Sequence, residues 1–256
     1  MKKQAIQAIQ SVLDEAITVA RNDHSGAHAS YIPELASVPP ELTNAAITLT
    51  DGHKFIAGDT PDHAFSLQSV AKLIVLIGLL EECGSEKVFS WVRVEPSGDD
   101  FASVARLDQF GPAPSNPMLN AGSIALCSHV PGHMEQRILW LENWAEKLFG
   151  EPLSINQKVF SSERRTGDRN RSLAYLMKST GFIEGNIDEI LETYFCLCAL
   201  EASVVQASYL PMLLANLLVK QDLFHLFLDP GSCNKLFHVQ AIQMVLSLSY
   251  SKYSRE

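Results

Sequence analysis

Ser69 and Lys72 stand three residues apart at the head of the run "SVAKLIVLIGLL". Three residues is nearly one helical turn, so the spacing predicts a helix with both side chains on one face and in reach of each other. A serine nucleophile beside an amine base is built this way. From Leu73 to Leu80 the chain is apolar all round, which predicts a helix buried on every side. A lysine heading such a helix sits either at an exposed end or in a dry pocket. In the pocket, desolvation favours the neutral amine, which can accept the serine proton near neutral pH. The spacing by itself is a weak signal, because Ser-x-x-Lys also arises by chance.

The elements that must position this pair can be read on either side of it. The N-terminal "MKKQAIQAIQSVLDEAITVA" places Ile6, Ile9, Val12, Leu13, Ala16, Ile17 and Ala20 at spacings of three and four, the pattern of an amphipathic surface helix and not of a signal peptide. Tyr31 falls in a loop marked by Gly and Pro. "AAITLTDGHKFIAGD" then reads as two strands joined at Asp51-Gly52, with both residues of the turn supplying positive φ. The stretch from Val92 to Leu126 is rich in Pro, Gly, Asn and Asp and reads as a long functional loop. Helical patterns follow from about Met134 to Val219, and "SSERRTGDRNRSLAYLMKSTG" reads as a polar loop leading into a helix that Gly181 ends. Strands first and helices afterwards predict an α+β fold. The chain is read as one domain over 1–256, with an N-terminal helix and hairpin (1–64), a mostly helical part carrying the Ser-Lys pair (65–220) and a divergent C-terminal tail (221–256).

Composition narrows the function classes. With 256 residues and 46% hydrophobic content the chain can bury a large core. A net charge of -9, with Arg164, Arg165, Arg169 and Arg171 as the densest basic group, argues against nucleic acid. No apolar run is long enough for a membrane crossing. The five cysteines, Cys83, Cys127, Cys196, Cys198 and Cys233, form no zinc pattern and read as buried free thiols of a reducing cytoplasm. The eight histidines are dispersed. No metal and no cofactor are expected.

The ordered blocks "YIPELA", "GDTPDHAFSLQSVAK", "EPSGDDFAS", "NPMLNAGSIA", "SERRTGDRNRSLAYLMKSTG" and "YFCLCALEAS", from about Gly26 to Val219, resemble the serine-dependent glutaminase family, whose members hydrolyse L-glutamine to L-glutamate and ammonia. The resemblance implies the α+β fold of serine β-lactamases and transpeptidases, with a helical subdomain. It implies Ser69 as nucleophile, Lys72 as its base and Tyr31 as the tyrosine beside them. It assigns Asn120, Glu163, Asn170 and Tyr194 to the amino acid end of glutamine. That set suits the ligand: a carboxylate for the ammonium, neutral donors for the other end. Taken singly, each has a plainer reading: a turn for Asn120, a cap or helix lead-in for Glu163, core for Tyr194. A cytoplasmic homo-oligomer, dimer or tetramer, is also implied.

The match departs from the family after Asn216. Leu217 and Leu218 stand for two glycines, and no Lys-Ser-Gly follows before Glu256. The fold is therefore expected to lack the usual C-terminal strands, and with them an oxyanion donor worth about 100- to 1,000-fold in rate. The final "MVLSLSYSKYSRE" is matched to the block carrying another active-site tyrosine, which makes Tyr250 a further substrate-binding candidate. Two rivals accompany the glutaminase reading: a catalytically impaired homologue acting as a binding or interaction protein, and a penicillin-recognising acyl enzyme, against which the amino acid blocks speak.

Overall fold

The computed structural model describes residues 3–95, 102–103, 107, 111 and 113–220. Helix α1 (Lys3–Asn22) lies against the hairpin β1 (Asn44–Thr48) and β2 (Lys54–Gly58), with Leu13 and Ile17 buried on Phe55 and Ala57. Only part of the predicted apolar stripe is used: Val12 is 65% exposed and Ala16 is exposed too. Among the described residues this sheet has two strands, and they cover only part of the helix.

The hairpin register runs from Asn44 opposite Gly58 to Thr48 opposite Lys54. Its turn differs from the Asp-Gly type predicted. Gly52 has φ 86°, whereas among the described residues Gln68 alone of the non-glycines has positive φ, so Asp51 does not. The Gly52 N–H bonds back to Leu49 O and the Leu49 N–H to His53 O, giving a three-residue loop closed by one left-handed glycine. Thr48 Oγ1 meets Ser208 Oγ at 2.6 Å, tying the hairpin to the helical part.

A second sheet, in the order β3 (Phe65–Ser66), β5 (Leu200–Ala202), β4 (Ser154–Ile155), is antiparallel throughout. It holds the chain just before the Ser-Lys pair: the Leu67 N–H donates to Leu200 O at 2.7 Å. A 3-10 turn (Gln68–Ala71) follows and runs into α3 (Lys72–Cys83). Every residue of α3 from Lys72 to Leu80 is buried, as the apolar run predicted. Around α3 lie α4 (Ser85–Trp91), α5 (Asn120–Cys127) and α6 (Met134–Phe149). The Glu82 carboxylate accepts from the indoles of both Trp140 and Trp144, which clamps α3 to α6.

Two segments read as loop are helical. Asn120 opens α5, inside the stretch read as irregular from 92 to 126. Residues Gln157–Thr166 form α7, before α8 (Asp168–Ser179) and α9 (Ile187–Cys198). The Asn156 side-chain oxygen Oδ1 caps α7 by accepting from the Lys158 and Val159 N–H groups, a local signal that outweighs the polar composition. The short α10 (Val204–Ala207) and then α11 (Tyr209–Lys220) complete the described chain. The cysteines Cys127, Cys196 and Cys198 are buried and free, as read, whereas Cys83 is free but only half-buried; Cys233 lies outside the described residues. Among the described residues no helix is long and apolar enough to cross a membrane.

The approach of α5 to the segment before it depends on Gly122. A Cβ there would stand 2.0 Å from the Asn116 carbonyl oxygen, a backbone atom that cannot swing away. Gly122→Ala is expected to destabilise the protein by about 2–3 kcal/mol, lowering Tm by roughly 5–10 °C in a thermal melt. A melt matching the parent would show that this packing is looser than drawn.

Candidate active site

Ser69 is exposed, whereas Lys72, one turn on, is fully buried at 0%. Of the two placements open for Lys72 from sequence, the structure has the dry pocket. Its ammonium donates to Met118 O at 2.9 Å and to Asn120 Oδ1 at 2.7 Å. Burial is the main cause pulling the lysine down from its ordinary value of 10.5 to about 8, opposed by the nearby Cys198, Cys127 and Glu163. A neutral amine keeps two N–H bonds and gains a lone pair, so it can retain both donations and still accept a proton. Among the described residues Ser69 Oγ makes no hydrogen bond, to Lys72 or any other group; the pair shares one turn without being joined.

The backbone reaches Ser69 through a left-handed residue. Gln68 has φ 47°, a conformation that costs a side-chain-bearing residue about 1–3 kcal/mol and gathers at functional sites. Its carboxamide is engaged on both sides: Tyr31 Oη donates to Oε1 at 2.8 Å, and Nε2 donates to Ser66 Oγ at 3.3 Å.

Asn120 links Lys72 to the next helix. Its Nδ2 donates to Asn170 Oδ1 at 3.0 Å, so Lys72, Asn120 and Asn170 form one chain from α3 through α5 to α8. Asn116 shapes the entry to α5, accepting from the Met118 and Leu119 N–H groups. That loop places the Met118 carbonyl on the lysine.

Glu163 lies within α7, only 5% exposed, and its Oε1 has no hydrogen-bond partner among the described residues. Burial raises its pKa, with Glu34 adding to the rise, while Gln68, Tyr31 and Lys72 pull the other way. Tyr31 is 55% exposed as a residue, and its hydroxyl donates to Gln68; partial burial first, and then the Glu163 charge, raise its pKa. Tyr194, on α9, is buried, and burial followed by the adjacent Cys198 thiol raises its pKa as well. Neither the cap nor the turn reading survives: Glu163 is mid-helix, and Asn120 starts a helix. Tyr194 is a core residue and at the same time lies close enough to Glu163 to feel its charge.

The structure thus gathers Ser69, Lys72, Tyr31, Asn120, Glu163 and Asn170 around the start of α3, with Tyr194 packed behind. Tyr250 lies outside the described residues. Arg164 pairs with Glu192 at 2.6 Å and Arg169 Nε donates to Ala102 O, so both arginines act as braces. Two residues inside the quoted blocks went unassigned by sequence, Gln68 and Glu34. The contacts that single them out, Gln68 to Tyr31 and Glu34 to Ser162, join residues far apart in the chain and leave no local pattern. Among the described residues no cluster of His, Cys, Asp or Glu could hold a metal ion.

With this geometry in hand, the chain can be set beside known proteins. The family model described as Glutaminase matches residues 26–250. A glutaminase of Legionella pneumophila (strain Lens) is 56% identical over 206 residues, covering 80% of this chain and 66% of the relative. A glutaminase of Clostridium tetani (strain Massachusetts / E88) is 39% identical over 211 residues, 81% of this chain and 68% of the relative. Among solved structures, the probable glutaminase ybaS superposes with a TM-score of 0.77 at 33% identity, covering 80% of this chain and 67% of that one. The probable glutaminase of Bacillus subtilis complexed with 6-diazo-5-oxo-L-norleucine gives 0.71 at 31% identity, covering 81% and 63%. The chain spans about two thirds of the length of the relatives it matches.

Proposed function

Because this chain belongs to the glutaminase family, we propose that it hydrolyses L-glutamine to L-glutamate and ammonia through an ester on Ser69. One observation carries the reading: a fully buried lysine whose pKa is drawn down to about 8 stands one turn after an exposed serine. Such an amine is a competent base near neutral pH, and the hydroxyl it serves is open to substrate.

In the first step Lys72 takes the Ser69 proton as Oγ attacks the side-chain amide carbon. The oxyanion that develops is met by the Ser69 N–H at the head of the 3-10 turn. Lys72 then returns the proton to the departing nitrogen, and ammonia leaves. A water molecule, deprotonated by the same amine, attacks the ester carbon; glutamate is released and Ser69 regains its proton. Tyr31 borders the reacting atoms from the Gln68 side. Asn120, Asn170 and Tyr194 receive the substrate carboxylate, and Glu163 the ammonium.

The proposed Glu163 role rests on one buried carboxylate oxygen, Oε1, that has no hydrogen-bond partner among the described residues. A charge-assisted hydrogen bond contributes about 1.5–3 kcal/mol. Glu163→Gln is therefore expected to weaken L-glutamine binding roughly 10- to 100-fold, with a smaller change in kcat. Calorimetry in a Ser69→Ala background reads the affinity directly, and an unchanged Kd would remove Glu163 from the ammonium site. Because its carboxyl titrates above the usual range, the loss of binding on acidification should also begin at higher pH than for an ordinary glutamate.

The direct test of the function is ammonia release from L-glutamine by the purified chain beside Ser69→Ala. Release that disappears in the variant supports the reading; a folded parent that releases none rejects it. The resemblance further supports a cytoplasmic protein acting as one functional unit over 1–256 and assembling as a dimer or tetramer, which analytical ultracentrifugation reads.

A further inference from the structure

We propose that Glu34 is a positioning residue of the ammonium site: it fixes Ser162 beside Glu163 and adds a second carboxylate charge, so that two carboxylates draw the substrate's ammonium inward. The inference rests on the reading of Glu163 given above and extends it to a residue with no assigned role.

Glu34 belongs to α2 (Pro33–Ala36), which packs on α7, the helix of Ser162 and Glu163. Glu34 Oε1 accepts from Ser162 Oγ at 3.1 Å, and the Arg165 guanidinium donates to the same hydroxyl at 3.2 Å. A serine has one proton to give, so giving it to Glu34 leaves its lone pairs to Arg165 and fixes the order of the relay. Ser162 is only 2% exposed, and it immediately precedes Glu163.

The remaining oxygens are the telling ones. Glu34 Oε2 and Glu163 Oε1 are both buried, and among the described residues neither has a hydrogen-bond partner. Buried carboxylate oxygens are normally satisfied, and here two that lack a partner among the described residues lie on neighbouring elements. A primary ammonium brings three N–H donors and one positive charge, the complement of that arrangement. The groups facing Glu163 are Tyr31 and Gln68 from the turns beside it, Glu34 from α2, Lys72 from α3, and Tyr194 and Cys198 from α9. Lys72 is the cation among these. When it is neutral, as the base role requires, it no longer offsets the carboxylate charge, while Arg165 remains on the Ser162 hydroxyl.

The test uses Glu34→Gln, which keeps the shape and the Oε1 acceptor for Ser162 and removes only the charge. Two quantities are read. The first is the titration of the Glu163 side-chain carboxyl by 13C NMR, its resonance identified by its loss in Glu163→Gln. The second is Kd for L-glutamine at pH 7, measured in the Ser69→Ala background. The titration midpoint is expected to fall in Glu34→Gln, and Kd to rise roughly three- to tenfold. An unmoved midpoint overturns the coupling of the two carboxylates. A moved midpoint with unchanged affinity overturns the role of Glu34 in binding, provided Glu163→Gln does weaken binding. If neither variant changes Kd while the midpoint moves, the coupling stands and the ammonium role of Glu163 itself has failed.

Discussion

Ser69→Ala is expected to bring ammonia release from L-glutamine to the level of a protein-free control while leaving Tm within about 2 °C of the parent. The two halves of that result have different causes. Removing the nucleophile of an acyl-transfer site removes the bond-forming step, and losses reach about a million-fold in kcat where nucleophile and base act as a unit. The stability half follows from position: Ser69 is exposed, and among the described residues its hydroxyl makes no hydrogen bond, so nothing buried is left unpaired. The strained φ of 47° belongs to Gln68 and is untouched. Release that persists would place the nucleophile elsewhere. A folded variant with full loss would exclude contaminating activity.

Lys72→Met should cost as much activity, and Lys72→Met with Ser69→Ala together should cost no more than either alone. In the parent, kcat/KM should climb about tenfold between pH 7 and pH 9, because a base titrating near pH 8 is mostly protonated at the lower value and mostly neutral at the higher. A flat profile over that range would mean Lys72 is not the base.

The same buried lysine makes the stability of the fold depend on pH. Its pKa is lowered on folding, from 10.5 to about 8, so between those values the unfolded chain holds a proton that the folded one has lost. Stability therefore rises with pH across this window, by about 3 kcal/mol in all at roughly 1.4 kcal/mol per pH unit. Below pH 8 both states are protonated, and the folded state carries the whole penalty of the buried ammonium. Lys72→Met removes that penalty but strips Met118 O and Asn120 Oδ1 of a donor, at about 1–3 kcal/mol each. The opposing terms are of similar size, so Tm at pH 7 should stay near that of the parent. What should change is the pH dependence: the rise between pH 8 and pH 10.5 should flatten in the variant, and chemical denaturation at several pH values would show it.

What the sequence by itself determined is what depends on neighbours in the chain. Ser69 and Lys72 were legible because a turn of helix brings residues three apart together. The burial of Leu73 to Leu80 was legible because no polar face interrupts it. Asn120, Glu163, Asn170 and Tyr194 were singled out only as an ordered set resembling a family, since each alone has a commoner structural use. Local reading failed where a local rule had a competitor. The Asn156 cap extended helix through "SERRT", Gly52 and not Asp51 took the left-handed conformation in the hairpin loop, and Val12 of the apolar stripe stayed exposed.

Only the tertiary structure decided the state of the pair. It sank Lys72 while leaving Ser69 exposed, and it bound the lysine to Met118 and Asn120, which lie 46 and 48 residues further along the chain. It also set Tyr31 on Gln68 and Glu34 on Ser162, across 37 and 128 residues. The physical reason is that desolvation, Coulomb interaction and hydrogen-bond completion depend on distance in space, and these partners share no spacing from which a periodicity could be read. Sequence supplied the candidate reactive groups, and packing set the lysine pKa on which the proposed base role depends.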